Sequence, residues 1–203
     1  EEVLVTAGRA ESRLSDTAAS VTLLGAADVA ATAAPAIDDL LRQVPGFSLF
    51  RRTGSRTANP TAQGVSLRGV GASGASRAVV LFDGVPLSDP FGGWIYWTSL
   101  PRLLVERVEV VRGGGSSLYG TDAVGGVVSL LPRGDAPPFL VAESSFASAE
   151  TVNGTAAGGV SLGGFALRAA GEISRTDGVF LVGGKDRGAV DTRAGADFGN
   201  ITA

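Results

Sequence analysis

Histidine, cysteine and methionine are all absent from this chain of 203 residues. Without histidine and cysteine there are no usual zinc ligands, no thiol nucleophile, no haem attachment and no ordinary proton shuttle at neutral pH. A Ser-His-Asp triad is impossible despite the many serines, and no GxSxG elbow is present. Nothing in the spacing places two carboxylates around a cleft, so neither catalysis nor a bound metal or cofactor is expected. A chain without methionine is expected to be a processed or excised piece of a longer protein. The lack of cysteine fits an oxidising envelope compartment. Wholly apolar runs are short, Ala78–Phe82 being one, so no transmembrane helix is expected. A β-barrel span would leave no such run. The formal charge is only −3 and the arginines are scattered, which argues against a nucleic-acid partner.

Glycine is what the chain has in excess, at 30 residues, roughly twice ordinary usage. Hydrophobic residues make up 44% and fall in spaced, strand-length runs, which argues for a folded chain. The densest glycine motif is Val110–Pro132, VVRGGGSSLYGTDAVGGVVSLLP, short strands around a Ser-Ser-Leu-Tyr turn. It has no lysine and no Walker spacing, so it is not a phosphate cradle. Gly69, Gly84, Gly113, Gly120, Gly125 and Gly126, with Asp83 and Tyr119, are expected to be structural, serving turns or close backbone approach.

Glu1–Thr6, EEVLVT, reads either as an ordinary first strand or as an extended peptide offered to another protein's sheet edge. From Asp28 the pattern turns helical. Pro35 is placed in a first turn, Ile37, Leu40, Leu41 and Val44 recur at helix spacing, and Pro45-Gly46 stops the helix. Asp38 and Asp39 lie early and Arg42 late, each with the favourable sign for the helix dipole. Strands are expected at Phe47–Phe50, Val65–Arg68, Arg77–Asp83, Val85–Leu87 and Glu106–Val111, with Asp83-Gly84 forming a type I′ hairpin turn. Between them lie a polar loop, Arg51–Gln63, and an aromatic loop, Ser88–Ser99, holding Phe91, Trp94, Tyr96 and Trp97.

After Arg133, GDAPP reads as a hinge and longer alternating stretches follow. Phe165, Leu167, Ala169, Gly171 and Ile173 take one face, against Ala166, Arg168, Ala170 and Glu172. Val190, Thr192, Ala194, Ala196 and Phe198 similarly oppose Ala189, Asp191, Arg193, Gly195 and Asp197. Weaker alternation covers Phe139–Ser148 and Thr155–Leu162, with Gly163-Gly164 a minimal turn and Ser174–Gly188 a longer loop. Such strands suit a barrel with lipid outside and a polar lumen, each span needing about 9 to 11 residues. A soluble sandwich would also alternate. Four strands cannot close a barrel, so a barrel reading makes this the front of a longer protein.

Taken in order, the motifs resemble the start of a TonB-dependent outer-membrane receptor. Gln43–Phe47, QVPGF, is similar to the family's PGV segment, and Val65–Gly69, VSLRG, to its IRG strand. Val79–Leu87, VVLFDGVPL, resembles the DG hairpin, and Glu106–Arg133 resembles the long IEVlrGPssalYG segment. Gly114 stands where the family usually has proline, and Leu131-Pro132-Arg133 replaces its usual ending. EEVLVTAGR resembles the energy-coupling TonB box.

The resemblance implies a segment and linker at 1–12, an α/β plug domain at 13–133 with a small mixed sheet and short helices, and at 134–203 about four antiparallel transmembrane strands of an incomplete barrel of about 22. It implies that Val3, Leu4, Val5 and Thr6 pair with the C-terminal domain of periplasmic TonB. Arg51, Arg52, Arg56, Phe91, Trp94, Tyr96 and Trp97 become candidates to face substrate, with packing the other role for the tryptophans. Arg68, Glu106, Glu109 and Arg112 become candidates to meet the barrel wall. The implied setting is the outer membrane of a Gram-negative bacterium, in contact with its lipid. The implied activity is uptake of a scarce small molecule such as a ferric chelate or the vitamin cobalamin. A sugar importer and a ligand-sensing module are the alternatives.

Overall fold

The computed structural model describes residues 3–4, 12–16, 18–51, 53–56, 58–70, 76–133, 138–148, 150–162, 165–180 and 193–202. The chain divides into two units, 1–134 and 135–203.

In the first unit, two two-residue strands, β1 (Val3–Leu4) and β2 (Ser12–Arg13), pair antiparallel. β3 (Ser20–Leu24) leads into α1 (Ala26–Ala31), whose start is closed by the Gly25 N–H donating to Asp28 Oδ2 at 2.9 Å. The expected single helix is in fact two, because α2 (Ile37–Leu41) begins only after Pro35. Proline disfavours helical backbone at the residue before it and has no N–H of its own. Thr32 takes over in the gap, its Oγ1 accepting from the Ala34 N–H at 3.2 Å and from Gln43 Nε2 at 3.1 Å. Ile37, Leu40, Leu41 and Val44 are buried together, as their spacing predicts.

β4 (Phe47–Leu49) pairs antiparallel with β5 (Val65–Leu67). The main sheet then takes β6 (Ala78–Phe82), β7 (Val85–Pro86), β8 (Val105–Arg112) and β9 (Gly126–Pro132), in the order β3-β8-β9-β6-β7. All neighbours are antiparallel except β6 and β9. Val80, Val128 and Val110 stand in register across the three central strands, all fully buried. The β6–β7 turn has φ of 50° at Asp83 and 77° at Gly84, the two positive angles a type I′ turn needs. Between β8 and β9 the Ser-Ser-Leu-Tyr segment winds into one turn, α3 (Ser116–Tyr119), with Tyr119 against Val79, Leu81, Ala123 and Val127.

The second unit is a meander of four antiparallel strands: β10 (Phe139–Ala147), β11 (Thr151–Leu162), β12 (Phe165–Phe180) and β13 (Arg193–Thr202). β11 starts four residues earlier than its alternation suggests. β12 runs through Ser174–Phe180, where a loop was expected, because β13 pairs with it beyond a register shift at Thr176/Val179. The rest of that expected loop, the turn at 163–164 and most of the GDAPP hinge lie outside the described residues. In β13 the register sets Phe198 opposite Ser174 and Asp197 opposite Arg175. Among the described residues no helix is long and apolar enough to cross a membrane, which says nothing of strands.

Burial in this sheet is inverted relative to a soluble protein. Leu140, Phe146, Phe165, Leu167 and Ile173 are exposed, Leu140 by 84%, whereas Ala157, Ala170, Glu172 and Ser174 are buried. A polar ladder crosses the second face. Asn153 Nδ2 donates to Ser145 Oγ at 3.1 Å, and its Oδ1 accepts from Ser174 Oγ at 2.6 Å. A sandwich would bury its apolar faces, whereas here the large apolar side chains are exposed.

Candidate functional site

The aromatic loop is rigidified by one carboxylate. Asp89 Oδ1 accepts from the N–H groups of Phe91 at 3.0 Å and Gly92 at 2.7 Å. The Asp89 N–H donates to the Trp94 carbonyl at 2.8 Å, and the loop is tied to its surroundings by Ser76 N–H donating to the Gly93 carbonyl at 3.1 Å. A Cβ on Gly92 would lie 1.8 Å from the Trp94 ring, so the indole keeps its place only beside glycine. Trp94 and Tyr96 meet edge to face, with ring centroids 6.4 Å apart. Phe91 projects outward at 98% exposure and Tyr96 is 42% exposed. Trp97 is only 2% exposed, which accords with packing, the other of the two roles given to the tryptophans. It opens a one-turn 3-10 helix (Trp97–Ser99) packed into the core.

The arginine loop divides differently. Arg51, expected to face substrate, is buried against Asp38, its Nη2 2.5 Å from Oδ2. A buried cation needs such a counter-charge, so Arg51 is structural. Asp38 is itself fully buried, and its second oxygen accepts from Ser55 Oγ at 2.8 Å. The sequence reading gave Asp38 only a dipole role. The Asp-Asp pair opening an otherwise apolar helix face was the available signal. Arg56 is half-buried and its Nη2 lies 3.5 Å from the Pro35 carbonyl. Arg52 lies outside the described residues.

Burial raises the Asp39 carboxyl above the ordinary carboxylate range, reinforced by the charge of Asp38 and opposed by Arg42, Arg51 and Arg56. Burial likewise lowers Arg56 from its ordinary value, against the pull of Asp39 and Asp38. A raised folded value means that the native state holds the Asp39 proton more tightly than the unfolded chain does. The stabilisation is complete below the unfolded carboxylate pKa and is lost as pH rises through the raised one. Asp39→Asn is therefore expected to stabilise α2 at pH 7, by less than about 1 kcal/mol because the Arg42 pair is also lost. That advantage should vanish in acid. Hydrogen exchange of the Leu40 and Leu41 amides against pH reads both effects.

Arg68 and Arg112 come together on a cleft of about 520 Å³, lined also by Gly113–Gly115 and Tyr119. Arg112 Nη1 donates to the Pro45 carbonyl at 3.0 Å, and Arg68 adopts φ of 58° in the turn after β5. Glu106 is half-buried on β8 and does not line this cleft. Glu109 is fully buried beside Arg107 at 3.2 Å, so its place as a wall contact is corrected. It stands between Leu23 and Ser129 in the sheet. Gly69, Gly113 and Gly120 have positive φ, and a Cβ on Gly125 would sit 3.0 Å from the Arg77 carbonyl oxygen. Val3 and Leu4 pair with Arg13 and Ser12, whereas Val5 and Thr6 lie outside the described residues.

A profile of the TonB-dependent Receptor Plug Domain family matches residues 13–127. The vitamin B12 transporter BtuB of Vibrio vulnificus is 34% identical over 131 residues, 64% of this chain and 20% of that protein. The Vibrio cholerae protein of the same name is 31% identical over 134 residues, 66% of this chain and 21% of its own. The chain thus spans about a fifth of the length of the curated relatives it matches. Among solved structures, the alcaligin outer-membrane receptor FauA of Bordetella pertussis superposes with a TM-score of 0.67 at 21% identity, covering 87% of this chain and 30% of that one. The ferric yersiniabactin uptake receptor FyuA of Yersinia pestis gives 0.62 at 22% identity, over 90% and 28%. At these identities the two structures establish the fold alone.

Proposed function

The chain belongs to the TonB-dependent receptor plug domain family, of the Gram-negative outer membrane, and on that footing we propose that it is the plug and first barrel strands of an energy-coupled importer. The carrying observation is the succession of two units: the plug, then an antiparallel sheet in which Leu140, Phe146, Phe165, Leu167 and Ile173 are exposed while Glu172 and Ser174 are buried. Lipid takes the first set and a polar lumen the second. No covalent chemistry is required of such a protein. Val3-Leu4-Val5-Thr6 is the coupling strand, which pairs with an edge of periplasmic TonB through backbone bonds and so tolerates varied side chains. Arg68, Arg112 and Glu106 face charges on the barrel wall, where hydrated polar pairs hold a plug without locking it.

The cargo is a scarce small molecule, and Phe91, Trp94 and Tyr96 offer it a rigid aromatic surface. Arg56 and Arg52 are the remaining candidate contacts. The Vibrio relatives are named vitamin B12 transporters and the solved structures are siderophore receptors, so a corrin and a ferric chelate are the two classes to test. The test is calorimetric titration of the full-length receptor in detergent micelles with cyanocobalamin, ferric enterobactin and a maltodextrin. One of the first two is expected to bind below micromolar concentration. Phe91→Ala or Tyr96→Ala is expected to weaken it about fivefold, since one aromatic contact is worth about 1 kcal/mol. A folded receptor that binds none of the three would overturn this reading.

A further inference from the structure

We propose that Asp38 is the positioning residue for the loop at 51–56, mounting on helix α2 the arginine-bearing loop that is a candidate to face substrate; this rests on the importer reading above. Between Leu49 and Pro60 no helix or strand is assigned to the described residues, so no backbone ladder sets the shape of this loop. Side-chain bonds set it, and they converge on the segment from Pro35 to Arg42. Asp38 Oδ2 takes Arg51 and Oδ1 takes Ser55, using both carboxylate oxygens. Arg51 reaches back to the Thr53 carbonyl, and Arg42 Nη2 reaches the same oxygen at 3.4 Å. Arg56 closes the set on the Pro35 carbonyl.

Stability alone does not call for this arrangement. Hydrophobic residues of similar volume commonly replace a buried ion pair with no loss, because the charges must give up their hydration. What they cannot replace is direction: charge-assisted bonds fix orientation as well as distance. Asp38 touches no ligand surface itself, being fully buried. It acts through the loop it holds.

The test separates position from stability. The full-length receptor, in a background with no other cysteine, carries a nitroxide on Thr53→Cys, an exposed position. The parent is compared with the double variant Asp38→Leu/Arg51→Met, which keeps the packing and removes every bond to Asp38. Exchange protection of the Val108 and Val110 amides verifies that the plug remains folded. The expected result is a label that moves freely in the double variant, with affinity for cyanocobalamin or ferric enterobactin, whichever the parent binds, reduced at least tenfold. An immobile label overturns the proposal, and so does a mobile label with unchanged affinity. If the parent binds neither probe, it is the importer reading that fails. Label mobility then still decides whether Asp38 mounts the loop.

Discussion

Removing the Asp38 carboxylate in Asp38→Ala is expected to lower plug stability by about 3–5 kcal/mol, although the residue lies outside every recognisable motif. Arg51 would remain at 8% exposure with its counter-charge gone, and Ser55 would lose its acceptor. The Arg51 guanidinium cannot shed its proton to escape, as a buried lysine could. Its bond to the Thr53 carbonyl is no substitute, because a neutral acceptor does not balance a buried charge. The alternative is for loop 51–56 to peel away and let water reach the cation, which also exposes Ile37, Leu40 and Leu41 beneath α2. Hydrogen exchange of the plug in the full-length receptor would show lost protection first in α2 and then in the neighbouring strands. Unchanged protection would mean that water already screens the pair.

Gly126→Ala is expected to cost about 4 kcal/mol or more, enough to prevent correct plug assembly. Gly126 opens β9 and stands in register with Arg112 on one side and Ala78 on the other. A Cβ there would lie 2.2 Å from the Val111 carbonyl oxygen and 2.8 Å from Leu67 Cδ1. Leu67 could rotate away, but the carbonyl belongs to the neighbouring strand and cannot. The φ of 139° is strained for any L side chain as well. Gly114 supplies the control. Nothing lies within 4 Å of its would-be Cβ and its φ is not in the left-handed region, so Gly114→Ala should be nearly neutral. Folded yield and protease resistance of the two receptors compare them directly. Equal behaviour would show that β8 and β9 can separate without loss.

Much of the plug was legible because its signals are local. The Asp83-Gly84 turn follows from two residues able to take positive φ, and the buried stripe Ile37, Leu40, Leu41, Val44 follows from helical period. The faces of β12 alternate as read, since a strand turns its side chains every second residue whatever surrounds it. The break at Pro35 was open to the same kind of reading. The helix pattern obscured it, because Ala26–Ala31 and Ile37–Leu41 are both good helical text.

The candidate site was legible in part. Four aromatics within seven residues marked the loop, yet their clustering could not separate an outward Phe91 from an inward Trp97. That division depends on the bond from Asp89 that turns the chain and on the 3-10 turn that follows. Charge pattern was a poorer guide. Arg51, Arg52 and Arg56 look alike in a polar loop, and only the position of Asp38, thirteen residues before Arg51, assigns Arg51 to the interior.

By itself the sequence determined the order of turns and strands, the absence of histidine and cysteine, and the family, since each depends on residue type and short spacing. Tertiary structure decided the rest. The sheet order β3-β8-β9-β6-β7 sets β8 beside β3 and β9 beside β6, strands far apart in the chain, and the full burial of Val80, Val128 and Val110 arises only in that order. Local preference acts over a few residues, whereas burial and close approach arise only where distant segments meet.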